Sequence, residues 1–145
     1  MLSTTAQYAL RALVFIAAQD PARPVLARDI AAQTGVPAQY LSRILRDAVR
    51  YGLLESARGV GGGFRLARPA RRIRLLEVIT PFENVLFGSR CPFGQPKCSD
   101  EQPCGFHPHW KPVAAAMRCM LEETTLDTVE PSGLAKRSRK KRSGA

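Results

Sequence analysis

The chain has 145 residues, of which 45% are apolar, and a formal net charge of +10. That length holds one domain with appendages. The most apolar stretch, residues 9–18, is broken by Arg11 and too short to span a bilayer, and no basic segment leads a long apolar run as a secretory signal would. A membrane span is therefore excluded, and a cytoplasmic protein is expected.

Charge is spread unevenly. Residues 1–74 hold twelve arginines, no lysine and four acids, net +8; residues 75–130 are net −4; residues 131–145 add six bases and no acid. A basic N-terminal half is the expected footprint of a protein that binds a nucleic-acid phosphate backbone. Arginine rather than lysine also suits bidentate contacts to phosphate and guanine.

Ala6, Leu10, Leu13, Val14 and Ala17 share one face and predict a first helix over residues 4–19, stopped by Asp20-Pro21. A shorter helix over residues 27–34 turns Ile30 and Ala31 inward. Gly35 makes the turn, and Val36-Pro37 opens a third helix with proline in its first turn, where the missing N–H costs nothing. Leu41, Ile44, Leu45, Ala48 and Val49 form its buried stripe, while Gln39, Tyr40, Ser42, Arg43, Arg46 and Arg50 decorate the remaining surface. Two short helices joined by a glycine turn, the second arginine-rich on its free side, make a helix-turn-helix pattern. Such a pair reads base edges with the start of its second helix, so Ala38, Gln39, Tyr40, Ser42 and Arg43 are candidate base contacts, with Arg28 beside them.

A hairpin is predicted next, from Leu53, Leu54 and Ser56 through Arg58-Gly59-Val60-Gly61-Gly62-Gly63 and back along Phe64-Arg65-Leu66-Ala67. The glycines do not make a nucleotide loop, because Phe64 stands where G-x-G-x-x-G needs its last glycine and no G-K-[ST] follows. A glycine-rich tip flanked by Arg58, Arg65 and Arg68 fits a wing laid against the DNA backbone, with Arg58, Gly61, Gly62 and Arg65 as candidate contacts.

Leu75, Leu76, Val78, Ile79 and Phe82 predict a fourth helix closed near Asn84. A loop over residues 87–108 follows. Trp110, Val113, Ala114, Met117, Leu121 and Thr124 then predict a long amphipathic helix from near His109, with Pro112 in its first turn. Too little chain follows to cover this helix within its own subunit, so it is expected to form a homodimer, packing in part onto the first helix. Residues 131–145 carry almost nothing apolar and predict a disordered basic tail. The expected fold is mainly α with a small β-hairpin wing. Residues 1–74 make a winged helix-turn-helix DNA-binding domain, and residues 75–130 a helix, a ligand loop (88–108) and a long C-terminal dimerisation helix.

The loop carries the chemistry. Cys91, Cys98, Cys104 and His107 are spaced C-x6-C-x5-C-x2-H among turn-forming Pro92, Gly94, Pro96, Pro103 and Gly105. Thiolates and an imidazole are the donors that iron–sulfur clusters and zinc take, and in a reducing compartment cysteines serve as ligands rather than disulfides. His109 competes with His107 for the fourth position. Cys119 falls on the side of the last helix opposite its apolar stripe and is not expected to ligate. Two rivals stand beside a cluster: a zinc staple in a DNA-binding protein without redox sensing, and a thiol enzyme built on a low-pKa cysteine next to His107. Nothing supplies the enzyme with a substrate pocket or an orienting partner, so no catalytic residue is expected.

Taken together these blocks resemble a known family over residues 1 to about 128. They are Tyr8-Ala9-Leu10-Arg11, Ile30-Ala31, Pro37 with Tyr40, Leu41 and Leu45, Arg58-Gly59 through Gly61-Gly62-Gly63-Phe64-Arg65-Leu66-Ala67-Arg68, the three-cysteine loop, and Leu121-Glu122-Glu123-Thr124-Thr125-Leu126. The chain resembles the IscR/NsrR-type winged-helix repressors of bacteria, the Rrf-two family. The resemblance implies a homodimer that binds a partly palindromic operator and senses iron–sulfur status, redox state or nitric oxide through a 2Fe–2S or 4Fe–4S cluster. It also implies that the three loop cysteines hold the cluster. The fourth ligand in IscR-like members is a histidine shortly after the last cysteine, which His107 matches. In nitric-oxide sensors of the NsrR kind it is an acid from the partner's first helix, where this chain has Gln7, a poor anionic ligand. That departure favours the histidine-ligated form. The first cysteine gap is six residues where five is common in the family.

Overall fold

A computed structural model of the protein describes residues 2–83 and 91–131. The expected end of the fourth helix near Asn84, the first residues of the ligand loop, and the basic tail from residue 132 onward lie outside the described residues.

Helix α1 (Thr4–Ala17) runs through the middle of the fold and ends two residues before the expected Gln19. The Ser3 hydroxyl caps it by accepting from the Ala6 amide at 3.1 Å. Its buried set is wider than the single expected face: Ala9, Ala12 and Ile16 are buried with Ala6, Leu13 and Val14, whereas Leu10 and Ala17 are half-buried. The cause is that α1 is covered from several sides, by α2 (Ala27–Thr34), α3 (Ala38–Arg50), the hairpin and α4 (Leu75–Ile79). Its alanines allow that close approach.

Gly35 takes φ 72° between α2 and α3, a left-handed conformation that glycine adopts without a steric cost. The buried Thr34 hydroxyl fastens the same turn, donating to the Ile30 carbonyl at 2.6 Å and accepting from the Val36 amide. Pro37 is the residue that caps α3 rather than a member of its first turn. Leu41, Ile44, Leu45 and Ala48 are buried along α3.

Strands β1 (Leu54–Ala57) and β2 (Gly63–Leu66) pair antiparallel, with Leu54 opposite Leu66 and Glu55 opposite Arg65. Val25, in the connection after α1, bridges to Phe64 with both backbone hydrogen bonds at 2.8 Å. This third rung explains Gly63: a Cβ there would lie 2.4 Å from the Val25 carbonyl oxygen, and its φ is 141°.

Helix α4 is only one turn and passes into a 3-10 turn over Thr80–Phe82. The Glu77 carboxylate accepts from the Arg74 amide and from the Arg68 guanidinium, both at 2.9 Å, which ties the strand exit to α4. Helix α5 (His107–Glu123) begins two residues earlier than the apolar spacing predicts. Pro112 consequently falls in the second turn, where it removes one helical hydrogen bond, rather than in the first. Along α5 only Leu121 is buried; Trp110, Ala114 and Met117 are half-buried and Val113 and Met120 exposed. Beyond it, the Leu126 amide donates to the Ile73 carbonyl and the Leu75 amide to the Thr124 carbonyl, and Leu126 is fully buried.

Candidate nucleic-acid interface and metal centre

The turn between α2 and α3 holds the start of α3 out of the fold. Arg28, Ala38, Gln39, Tyr40, Ser42 and Arg43 are all exposed. Tyr40 is 53% exposed, with its ring 6.0 Å from Tyr8, which in turn lies under the Arg11 guanidinium at 5.9 Å. The Ser42 hydroxyl donates back to the Ala38 carbonyl at 3.0 Å. Arg28, Arg43, Arg46 and Arg58 make no ion pair among the described residues, so each has a full charge to offer a phosphate or base.

The wing residues divide. Arg58 and Gly61 are exposed at the tip, and Gly62 is buried beneath it, where a Cβ would meet the Ala57 carbonyl oxygen at 2.3 Å. Arg65 is exposed but pairs across the hairpin with Glu55 at 3.2 Å. Arg68 is committed as well, paired with Glu77 at 2.9 Å.

The ligand loop brings its four donors together two by two. Cys91 Sγ lies 3.7 Å from Cys104 Sγ, and Cys98 Sγ lies 3.6 Å from His107 Nδ1. His107 is the first residue of α5, so the helix that follows the loop aims its ring. The Phe93 amide donates to Cys91 Sγ at 3.4 Å, and hydrogen bonds from the Gln95 and Phe93 backbone hold the Cys91 thiol below its ordinary pKa. That is the electrostatic setting a thiolate ligand needs.

His109 is exposed and belongs to neither donor pair. Cys119 is exposed, and its thiol donates to Glu123 at 3.4 Å; the Glu123 carboxylate pushes its pKa up, the opposite of activation. Among the described residues no three Cys, His, Asp or Glu side chains surround a single metal position.

The structure adds residues that the spacing of the cysteines did not reveal. Asp100 accepts from His107 Nε2 at 2.7 Å and from Lys111 Nζ at 2.8 Å, and these two partners hold its carboxyl below the ordinary carboxylate pKa, Lys111 foremost. Phe93 stacks on Phe106 at 4.5 Å, with Trp110 edge-on to Phe93 at 6.1 Å, so an aromatic group stands beside the loop. A buried Glu83 accepts from the Ser3 amide at 2.6 Å and so links the entry to the loop with the start of α1. The only sequence signal for Asp100 was an acid two residues after a cysteine.

A helix-turn-helix with an exposed arginine-bearing second helix and a hairpin wing defines a winged-helix DNA-binding regulator. Over residues 2–130 the chain matches the family described as Rrf2, iron-dependent transcriptional regulator, and it belongs to that family. It is 33% identical over 139 residues to Rv1287 of Mycobacterium tuberculosis, which carries the name of an HTH-type transcriptional regulator; the match covers 92% of this chain and 83% of that one. To the HTH-type transcriptional regulator IscR of Escherichia coli it is 30% identical over 125 residues, covering 86% of this chain and 76% of that one. Among solved structures, T. potens IscR matches with a TM-score of 0.71 at 26% identity, covering 94% of this chain and 93% of that one. The oxidized form of Staphylococcus aureus CymR shares the fold, with a TM-score of 0.69 at 24% identity over 88% of this chain and 93% of that one. The family is one of transcriptional regulators, not of enzymes. No helix among the described residues is long and apolar enough to cross a membrane.

Proposed function

We propose that the protein is a homodimeric repressor whose binding to a partly palindromic operator is controlled by an iron–sulfur cluster held by Cys91, Cys98, Cys104 and His107. The observation that carries this reading is the pairing of the donors. With metal–sulfur bonds of about 2.3 Å and metal–nitrogen bonds of about 2.0–2.1 Å, two thiolates on one tetrahedral metal sit about 3.8 Å apart, and a thiolate and an imidazole about 3.5–3.6 Å apart. Cys91 with Cys104 at 3.7 Å and Cys98 with His107 at 3.6 Å match these values, one pair to each of two metals. Two donors per iron is the demand of a 2Fe–2S cluster. A single zinc would instead draw all four donors into one shell.

When bound, such a cluster supplies a redox-reactive centre that cross-links the loop. The chain supplies the transmission. Residues 124–126 are hydrogen-bonded to residues 73–75, and Glu83 is bonded to Ser3, so both ends of the segment carrying the ligands are fastened to the winged domain. Ordering residues 91–107 therefore sets how α5 leaves that domain. Helix α5, on which Val113 and Met120 are exposed, is on this proposal the face for the second subunit, and the loop is a switch on the spacing of the two α3 helices. In this reading residues 1–74 bind DNA, residues 75–130 sense and dimerise, and residues 131–145 are a basic arm, all in the cytoplasm. Arg28, Ala38, Gln39, Tyr40, Ser42 and Arg43 contact the operator from α2 and α3, and Arg58, Gly61, Gly62 and Arg65 form the wing's approach to the backbone.

Single alanine substitution under anaerobic purification tests the ligand set. Cys91→Ala, Cys98→Ala and Cys104→Ala each abolish visible absorbance and acid-labile sulfide, Cys119→Ala leaves both nearly intact, and His107→Ala gives a labile or spectrally shifted cluster. A retained cluster in any loop-cysteine variant overturns the assignment, and colourless protein with stoichiometric zinc identifies the zinc-stapled alternative.

A further inference from the structure

The ring of His107 is held between two partners that define its two nitrogens. Nδ1 faces Cys98 Sγ at 3.6 Å, and Nε2 faces Asp100 Oδ1 at 2.7 Å. An aspartate carboxylate at neutral pH only accepts, so the hydrogen between the two belongs to Nε2. In the neutral form of the ring the lone pair is then on Nδ1, the nitrogen already grouped with the Cys98 sulfur. A ring flipped to present Nε2 would lose the Asp100 bond.

Asp100 is itself fixed. Lys111 lies one helical turn beyond His107 on α5, and its ammonium donates to the same Oδ1 at 2.8 Å, so His107 and Lys111 clasp the carboxylate from one face of the helix. The His107 side chain is only 12% exposed, which limits its freedom to rotate away. The loop segment that delivers Cys98 thus delivers, two residues later, the acceptor that orients its companion ligand. Metal-binding histidines recurrently donate their second N–H to a carboxylate, which fixes the tautomer and raises the basicity of the ligating nitrogen.

We propose that Asp100, clasped by Lys111, is a positioning residue that commits His107 to ligate through Nδ1. This rests on the cluster reading given above. It predicts which atom bonds the metal, a question the identity of the ligand leaves open.

Two samples of the full-length protein, with histidine carrying nitrogen-15 at Nδ1 only or at Nε2 only, are reduced and measured by pulsed electron paramagnetic resonance. The strong hyperfine coupling of a directly bonded nitrogen-15 is expected in the Nδ1-labelled sample alone. Its appearance from Nε2, or from neither position, overturns the inference while leaving a cluster in place. Protein that holds no iron and sulfide overturns the functional reading, and this inference with it. Asp100→Ala is expected to release its cluster to a chelator about tenfold faster or more than the wild type. Asp100→Asn, which keeps an acceptor oxygen but removes the charge, retains Nδ1 coupling and has a more positive reduction potential. Release rate and potential unchanged in both variants overturn the inference.

Discussion

At the scale of single residues, the exposed arginines differ in what binding DNA asks of them. Arg43 has no carboxylate partner among the described residues, whereas Arg65 is paired with Glu55 and would exchange it for a phosphate in the proposed wing contact. Arg43→Ala is expected to cost about 1–3 kcal/mol on the preferred duplex and to change sequence preference, as loss of a bidentate base contact does. Arg65→Ala is expected to weaken all duplexes alike and to lower the salt slope by roughly one unit. Fluorescence anisotropy on operator and random DNA across a salt series separates the two; equal losses on both duplexes for Arg43→Ala would count against a base contact. Gly63→Ala sets a Cβ against the Val25 carbonyl in a left-handed backbone conformation, and a loss of about 1–3 kcal/mol is expected in urea unfolding. A stability within error of wild type would mean that the Val25 rung is not formed in solution.

Among the elements, the junction between wing and α4 depends on one carboxylate. Burial raises the pKa of Glu77, but the Arg74 amide and the Arg68 guanidinium outweigh it and leave the group below its ordinary value. Its contribution is therefore full above the unfolded carboxylate range, near pH 4.3, and is lost as pH falls through the lower folded value. Melting temperatures of wild type and Glu77→Gln are expected to differ at neutral pH and to converge on acidification; a constant gap would assign the difference to something other than this charge. The elements themselves were legible wherever local chemistry decides. The apolar spacing of α3, the Gly35 turn and the glycine-rich hairpin tip are properties of neighbouring residues. Much of what escaped was set by distant contacts. Ala9, Ala12 and Ile16 are buried because α1 is covered from several sides; the start of α5 at His107 escaped for a local reason, since His107, Pro108 and His109 precede the apolar stripe that begins at Trp110. The spacing of the cysteines marks a candidate metal loop, but the division of its donors into two pairs, and the position of Asp100 beside His107, depend on how that loop closes.

For the whole molecule, charge and, in the proposed dimer, symmetry decide how it meets DNA. The positive charge lies in the winged half and in residues 131–145, with an acidic segment between them. Deleting residues 131–145 is expected to lower affinity for any duplex at low salt while preserving the ratio of operator to random binding; loss of that ratio, or of the dimer in sedimentation, would make the segment structural. A dimer through α5 must present its two α3 helices about 34 Å apart, or a multiple of that distance, to match successive turns of the major groove. The proposed control by a cluster amounts to a coupling free energy between the loop and the operator, typically 1–3 kcal/mol, or about 5- to 150-fold in affinity. The decisive measurement is the dissociation constant for one duplex, selected by the protein from a random pool, at fixed salt, with anaerobic cluster-loaded protein and with the same protein after the cluster is chelated away. A cluster-controlled regulator gives two constants at least about fivefold apart. Equal constants for the loaded and stripped protein would contradict it.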